Sequence, residues 1–138
     1  MKILFDTCII VDALQKREPF FDEARMLLLA AARESVEPFI TAKSVSDVYY
    51  LMHRHFHDDS KTRSAIGKLL MTMSVLDTTG MDVQNALNLL SGDFEDGIMM
   101  ATASRCGMDG IVTRNVRDFK PSAVNVYSPA ELLGVMHD

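Results

Sequence analysis

The chain has 138 residues, 48% apolar and 24% charged, a balance that excludes disordered and fibrous classes and suits one globular domain, residues 1–138, burying roughly two-thirds of its unfolded surface. Its net charge is −5, carried wholly by the second half: residues 1–70 hold ten basic and ten acidic side chains, residues 71–138 four basic against nine acidic. That excess excludes a uniformly basic nucleic-acid binder, so any nucleic-acid chemistry must come from local basic patches or from cations held by the acids.

Ile3 to Phe5 read as a short apolar strand ending at Asp6, followed by a helix over Cys8–Leu14. Pro19 to Arg33 predict a strong helix, with proline at its start and Asp22 and Glu23 in its first turn. Pro38 breaks the chain, and Phe39-Ile40-Thr41 form the second strand. A helix over Ser44–Phe56 opens with Ser44-Val45-Ser46-Asp47, a capping-box pattern. Asp58-Asp59-Ser60 cap a further helix to about Met73, before a third strand at Ser74-Val75-Leu76. Met81 to Leu90 read as a helix stopped by Gly92, and Asp93 caps a helix over Phe94–Cys106 that Gly107 ends. Gly110 to Thr113 give the fourth strand and Val124 to Tyr127 the fifth. Ser128-Pro129-Ala130-Glu131 start the last helix, with proline at its first position and a capping box. Strands of three to five residues separated by helices predict an α/β fold: a three-layer α/β/α domain around a short-stranded, mostly parallel sheet.

The longest apolar run, Met26–Ala32, falls far short of the roughly 20 residues of a membrane helix. Asp6 stands where a signal peptide would still be apolar, so a cytoplasmic protein off the membrane is expected. Cys8 and Cys106 form no CxxC pair and read as reduced, small apolar fillers. Ten methionines and no tryptophan predict an adaptable core.

In a parallel α/β sheet, sites form beyond the carboxyl ends of the strands. Asp6-Thr7 follow the first strand and Thr113-Arg114-Asn115 the fourth, while Asp47 and Asp96 sit in first helical turns and Asp118 lies just beyond the fourth strand. If the first and fourth strands are neighbours, these acids converge on one rim. Carboxylates gathered in one cleft repel unless a cation neutralises them, and oxygen-only ligands favour Mg²⁺ or Mn²⁺. Such an ion suits phosphodiester hydrolysis. Each acid also has a structural reading. Asp47 completes a capping box, Asp96 suits a helix dipole, and Asp118 caps a turn. Asp6 stands apart, because an acid directly after a buried strand is costly without a partner.

Three segments together resemble the PIN-domain family. Ile3-Leu4-Phe5-Asp6-Thr7-Cys8-Ile9-Ile10-Val11-Asp12-Ala13-Leu14 is similar to its first motif. Asp93-Phe94-Glu95-Asp96-Gly97-Ile98-Met99-Met100-Ala101-Thr102-Ala103 is similar to its third, and Gly110 through Thr113-Arg114-Asn115-Val116-Arg117-Asp118-Phe119 to its last. The resemblance spans essentially the whole chain. It implies a metal-dependent endoribonuclease similar to the toxins of bacterial type II toxin–antitoxin pairs of the virulence-associated protein C type. Asp6, Asp47, Asp96 and one of Asn115 and Asp118 would form an acidic quartet, with Thr7 and Thr113 as hydroxyl support. The implied metal ligands are Asp6, Asp96, Asp118 and Asn115, holding Mg²⁺ or Mn²⁺. An RNA substrate, a small antitoxin protein and a homodimer are implied partners. Two positions depart from the family: Asp47 stands where Glu is usual, and Asn115 where the last acid often falls.

Two rivals remain. One is a PIN-fold binding module that keeps the acids without full activity. The other is a receiver-like domain using its acids and Thr113 for phosphoryl transfer, which needs a lysine after the last strand; Lys120 falls after the fourth instead. His53, His55 and His57 read as a solvated helix face and not as a zinc site. Lys61, Arg63 and Lys68, and nearer the site Arg114, Arg117 and Lys120, are candidate phosphate contacts. No GxxxxGK[ST], GxGxxG or GxSxG pattern is present.

Overall fold

The computed structural model describes residues 1–89 and 92–136. Strands β1 (Lys2–Phe5), β2 (Glu37–Thr41), β3 (Ser74–Leu76), β4 (Gly110–Val112) and β5 (Asn125–Tyr127) form one sheet in the order β3-β2-β1-β4-β5. Every pairing is parallel, with Leu4 level with Phe39 on one side and Ile111 on the other. Helices α1 (Thr7–Leu14) and α2 (Phe21–Ala32) connect β1 to β2, and α3 (Ala42–Phe56) and α4 (Asp59–Thr72) connect β2 to β3. The return leg carries α5 (Gly80–Leu87) and α6 (Phe94–Arg105); a 3-10 turn over Val116–Phe119 joins β4 to β5, and α7 (Pro129–Met136) follows.

Right-handed crossovers place the outward and return helices on opposite faces of the sheet. The side chains divide accordingly, two to a period. Ile3, Phe5, Ile40 and Val112 pack with Ile10, Leu27, Val48, Leu69 and Leu132 from α1, α2, α3, α4 and α7. Leu4 and Ile111 point the other way, onto Met99, Met100 and Ala103 of α6 and onto Phe119. The expected three-layer α/β/α arrangement is therefore present. Among the described residues no helix is long and apolar enough to cross a membrane.

Four local expectations are corrected. α2 begins at Phe21, with Pro19 in the turn before it. Pro38 does not break the chain; it lies inside β2 opposite Ile3, at the end of the strand that β3 does not reach. There its missing N–H leaves no ladder bond unmade on that edge. α3 starts two residues early because Thr41, not Ser44, is its cap: the Thr41 hydroxyl accepts the Ser44 amide at 3.0 Å. Asp47 therefore completes no capping box. α5 begins at Gly80, behind a Thr79/Asp82 capping box, and ends at Leu87; Leu90 lies outside the described residues. Asp58 and Asp93 cap α4 and α6 as expected, and Ser128 and Glu131 exchange capping bonds of 3.1 and 3.2 Å before α7.

Candidate functional site

The chain leaves β1 in one direction across the sheet and later returns on its other side, so the strand order reverses between β1 and β4. A ligand crevice forms at such a switch point, beyond the carboxyl ends of the strands. Asp6 follows β1 there and Thr113 follows β4. Asp6 occupies the N-cap position of α1 (φ −67°, ψ 148°) yet makes no side-chain capping bond. Its carboxylate instead accepts the Thr113 hydroxyl at 2.7 Å and the Cys8 thiol at 3.4 Å. Burial raises the Asp6 carboxyl above its ordinary range, against the opposing pull of those hydrogen bonds and the Arg114 charge. Burial, and the Asp6 charge beside it, push the Cys8 thiol up to about 12. Cys8 is thus a neutral donor to Asp6 and no nucleophile. Thr113 is wholly buried and also accepts the Asn115 amide at 3.0 Å, so one hydroxyl joins Asp6 to the segment after β4.

Asp96 stands in the first turn of α6, where the helix dipole favours a charged carboxylate. Its carboxyl is nonetheless raised to about 7, by burial first and then by the charges of Asp6, Asp93, Asp118 and Glu95. Asp6, Thr7, Asp47 and Asp96 line one cleft of about 330 Å³. Asn115 and Asp118 are exposed beside it, Asn115 at the start of the 3-10 turn and Asp118 within it. Gly92 backs this turn. Its φ is +79°, and a Cβ there would lie 2.5 Å from the Asp118 carbonyl oxygen. Among the described residues no three acidic, histidine or cysteine side chains are gathered tightly enough to hold an ion in this conformation.

Asp47 enters the cleft from α3. Its Oδ2 accepts the Lys43 ammonium at 2.6 Å, and the same Lys43 reaches Glu95 at 3.2 Å across to α6. Glu95, Lys43 and Arg54 all line the cleft, and none was singled out from the sequence. The signal lay in the spacing: Lys43, Asp47, Tyr50, Leu51 and Arg54 fall on one face of α3, just past the carboxyl end of β2.

Arg114 is not a base of this cleft. It forms a half-buried ion pair with Asp12 of α1, with one bond at 3.2 Å, and stacks 3.9 Å over the Phe20 ring. Asp12 is fully buried, and Arg17 lies 4.0 Å from it. Arg63 pairs with Asp59 on α4, at 2.8 Å. His53 stacks on Tyr49, whereas His57 turns left-handed (φ 55°) as the C-cap of α3, so the two do not share a helix face.

The sequence profile of the PIN domain matches residues 2–117. A search of curated protein sequences gives no significant match. Solved structures share the fold along most of the chain. A toxin–antitoxin complex from Klebsiella pneumoniae aligns over 92% of this chain and 97% of its own, with a TM-score of 0.67 and 24% identity. VapBC-1 from nontypeable Haemophilus influenzae aligns over 94% and 99%, at 0.70 and 14% identity. VapC20 from Mycobacterium tuberculosis, described as a Sarcin-Ricin loop cleaving toxin, aligns over 79% and 86%, at 0.63 and 14% identity. At these identities the likeness is one of fold.

Proposed function

Because the chain belongs to the PIN-domain family, we propose that it is a metal-dependent endoribonuclease that hydrolyses RNA phosphodiester bonds and serves as the toxin of a toxin–antitoxin pair. The observation that carries the reading is the acid cluster at the switch point: Asp6 and Asp96 share one cleft, with Asp118 near enough to act on Asp96. The solved structures of similar fold lend the biological half, since one is a toxin–antitoxin complex and another a Sarcin-Ricin loop cleaving toxin. A small antitoxin that covers the cleft, a homodimer and a cytoplasmic setting belong to the same proposal.

The donor set fits a hard divalent cation. The cleft's lining residues include carboxylates and hydroxyls but no thiol or imidazole. Asp6, Asp96 and Asp118 would hold Mg²⁺ or Mn²⁺, with the Asn115 amide as a neutral donor. When bound, such an ion activates a water and offsets charge growing on the phosphate. The chain's own groups supply the frame. Thr113 and Cys8 fix the Asp6 carboxylate, and Lys43 holds Asp47 and Glu95 as an opposite wall. Asp47, bound to Lys43 through Oδ2, keeps Oδ1 as a further acceptor that would orient a water in the cleft. Arg54, which makes no ion pair among the described residues, would meet a substrate phosphate at the rim of the cleft.

The purified chain is expected to cleave single-stranded RNA with Mg²⁺ or Mn²⁺ and to stop when the ion is chelated. Asp6→Asn and Asp96→Asn should each abolish cleavage, and Asp47→Glu should retain or raise it. Full cleavage in chelator, or none with any divalent ion, overturns the reading in favour of a PIN-fold binding module.

A further inference from the structure

The α3 stripe that enters the cleft contains one residue that neither the acids nor the core explains. Tyr50 is 65% exposed. It lines the acidic cleft on one side and, on the other, a second groove between α3 and α4 shared with Tyr49, Arg63 and Ile66. Tyr49 meets it edge to face, with ring centroids 5.2 Å apart and planes at 89°. Tyr49 is in turn held by Asp59, which also binds Arg63. The ring is therefore braced from the α4 side while most of its surface stays open. Arg54 lies one helical turn further on and is exposed; it makes none of the ion pairs that tie down Lys43, Arg63, Arg105 and Arg114 among the described residues. Lys43 stands two turns back on the same face.

An open aromatic ring one helical turn from the unpaired Arg54 suits an anionic polymer with planar bases. Arg54 meets a phosphate, and the ring takes the face of a base. A duplex keeps its bases stacked on one another and has no free face to offer. We propose that Tyr50 is a stacking platform for an unpaired base beside the scissile phosphate, and that the RNA strand runs from the cleft over Tyr50 into the α3–α4 groove. The platform selects single-stranded or looped RNA and rests on the ribonuclease reading above.

The test uses the full chain with Mg²⁺ and a short labelled single-stranded oligoribonucleotide, reading KM and kcat by cleavage and affinity by fluorescence anisotropy. Tyr50→Ala should raise KM about tenfold or more while kcat stays within about twofold. Tyr50→Phe should restore the parent value, since the ring and not the hydroxyl stacks. An oligonucleotide abasic at the stacked position should cost the parent the same factor and cost Tyr50→Ala nothing further. That abasic series tests the platform with the unaltered protein, whatever the folding of the variants. Cleavage by the parent with KM indifferent to Tyr50→Ala and to every abasic position overturns the platform alone. RNA binding without cleavage, still sensitive to Tyr50→Ala, overturns the ribonuclease reading alone, and absence of binding overturns both. A Tyr50→Ala protein whose oligomeric state changes while KM holds places the ring in a protein contact and also sinks the proposal.

Discussion

Asp6 and Asp12 sit six residues apart and are both buried acids, yet only one is neutralised. Asp12 has Arg114 and Arg17; Asp6 has a hydroxyl, a thiol and the like charge of Asp96. Asn at position 6 keeps the shape and still accepts the Thr113 hydroxyl, but removes the repulsion. Asp6→Asn should therefore stabilise the metal-free protein by something on the order of 1 kcal/mol, and it should lower the Asp96 carboxyl from its raised value. Added Mg²⁺ should raise the parent's melting temperature more than the variant's, because only the intact site gains from binding. Thermal melts with and without Mg²⁺ read both effects, and a variant clearly less stable without metal would sink the cluster. The sequence made Asp6 legible because a charge directly after a buried strand demands an explanation. Asp12 was illegible, since its partner Arg114 lies 102 positions away and no local pattern encodes such a pairing. Arg114 looked like a phosphate contact for the same reason.

At the scale of elements, ends and caps were harder to read than periods. β1, β3 and α6 follow their apolar patterns closely, whereas α3 begins at Ala42 because Thr41, ending a strand, can cap the helix that follows. α5 carries the less visible device. Its capping-box residue Asp82 is fully buried and accepts Arg105 at 2.9 and 3.0 Å and Thr102 at 3.0 Å, tying α5 to α6. Burial alone would raise the Asp82 carboxyl. The bonds from Arg105, Thr79 and Thr102 outweigh it and hold the group at about 2, below its ordinary 3.8. A carboxyl depressed on folding contributes stability that is complete above 3.8 and lost as pH falls toward 2. Asp82→Asn should cost about 1–3 kcal/mol at neutral pH, and its gap from the parent in urea melts should close over that acid window. A gap independent of pH would mean that the charge contributes nothing. Gly92 allows a second test between elements. Gly92→Ala would force a methyl onto the Asp118 carbonyl at an unfavourable φ, and chemical denaturation should show a loss of about 1–3 kcal/mol.

Over the whole molecule, the fold class was legible because short strands alternating with helices admit few sheets, and the switch point follows from their order. The stripe of α3 that forms the far wall was not, since an amphipathic helix with two useful faces reads the same as one with a buried and a solvated face. The same topology governs when the first acid of the cleft is fixed during synthesis. Asp6 emerges early, but the Thr113 hydroxyl that fixes it lies 107 residues later, a lag of roughly 5–20 s at ordinary translation speeds. Until β4 arrives, β1 has a neighbour on one side only, and Asp6 lacks its hydroxyl donor although Asp96 has already been made. A nascent chain abandoned before β4 therefore carries every residue that lines the cleft but not the hydroxyl that fixes its first acid. In a ribonuclease of the kind proposed above, the arrival of Thr113 would then be the step that fixes the first acid for cleavage.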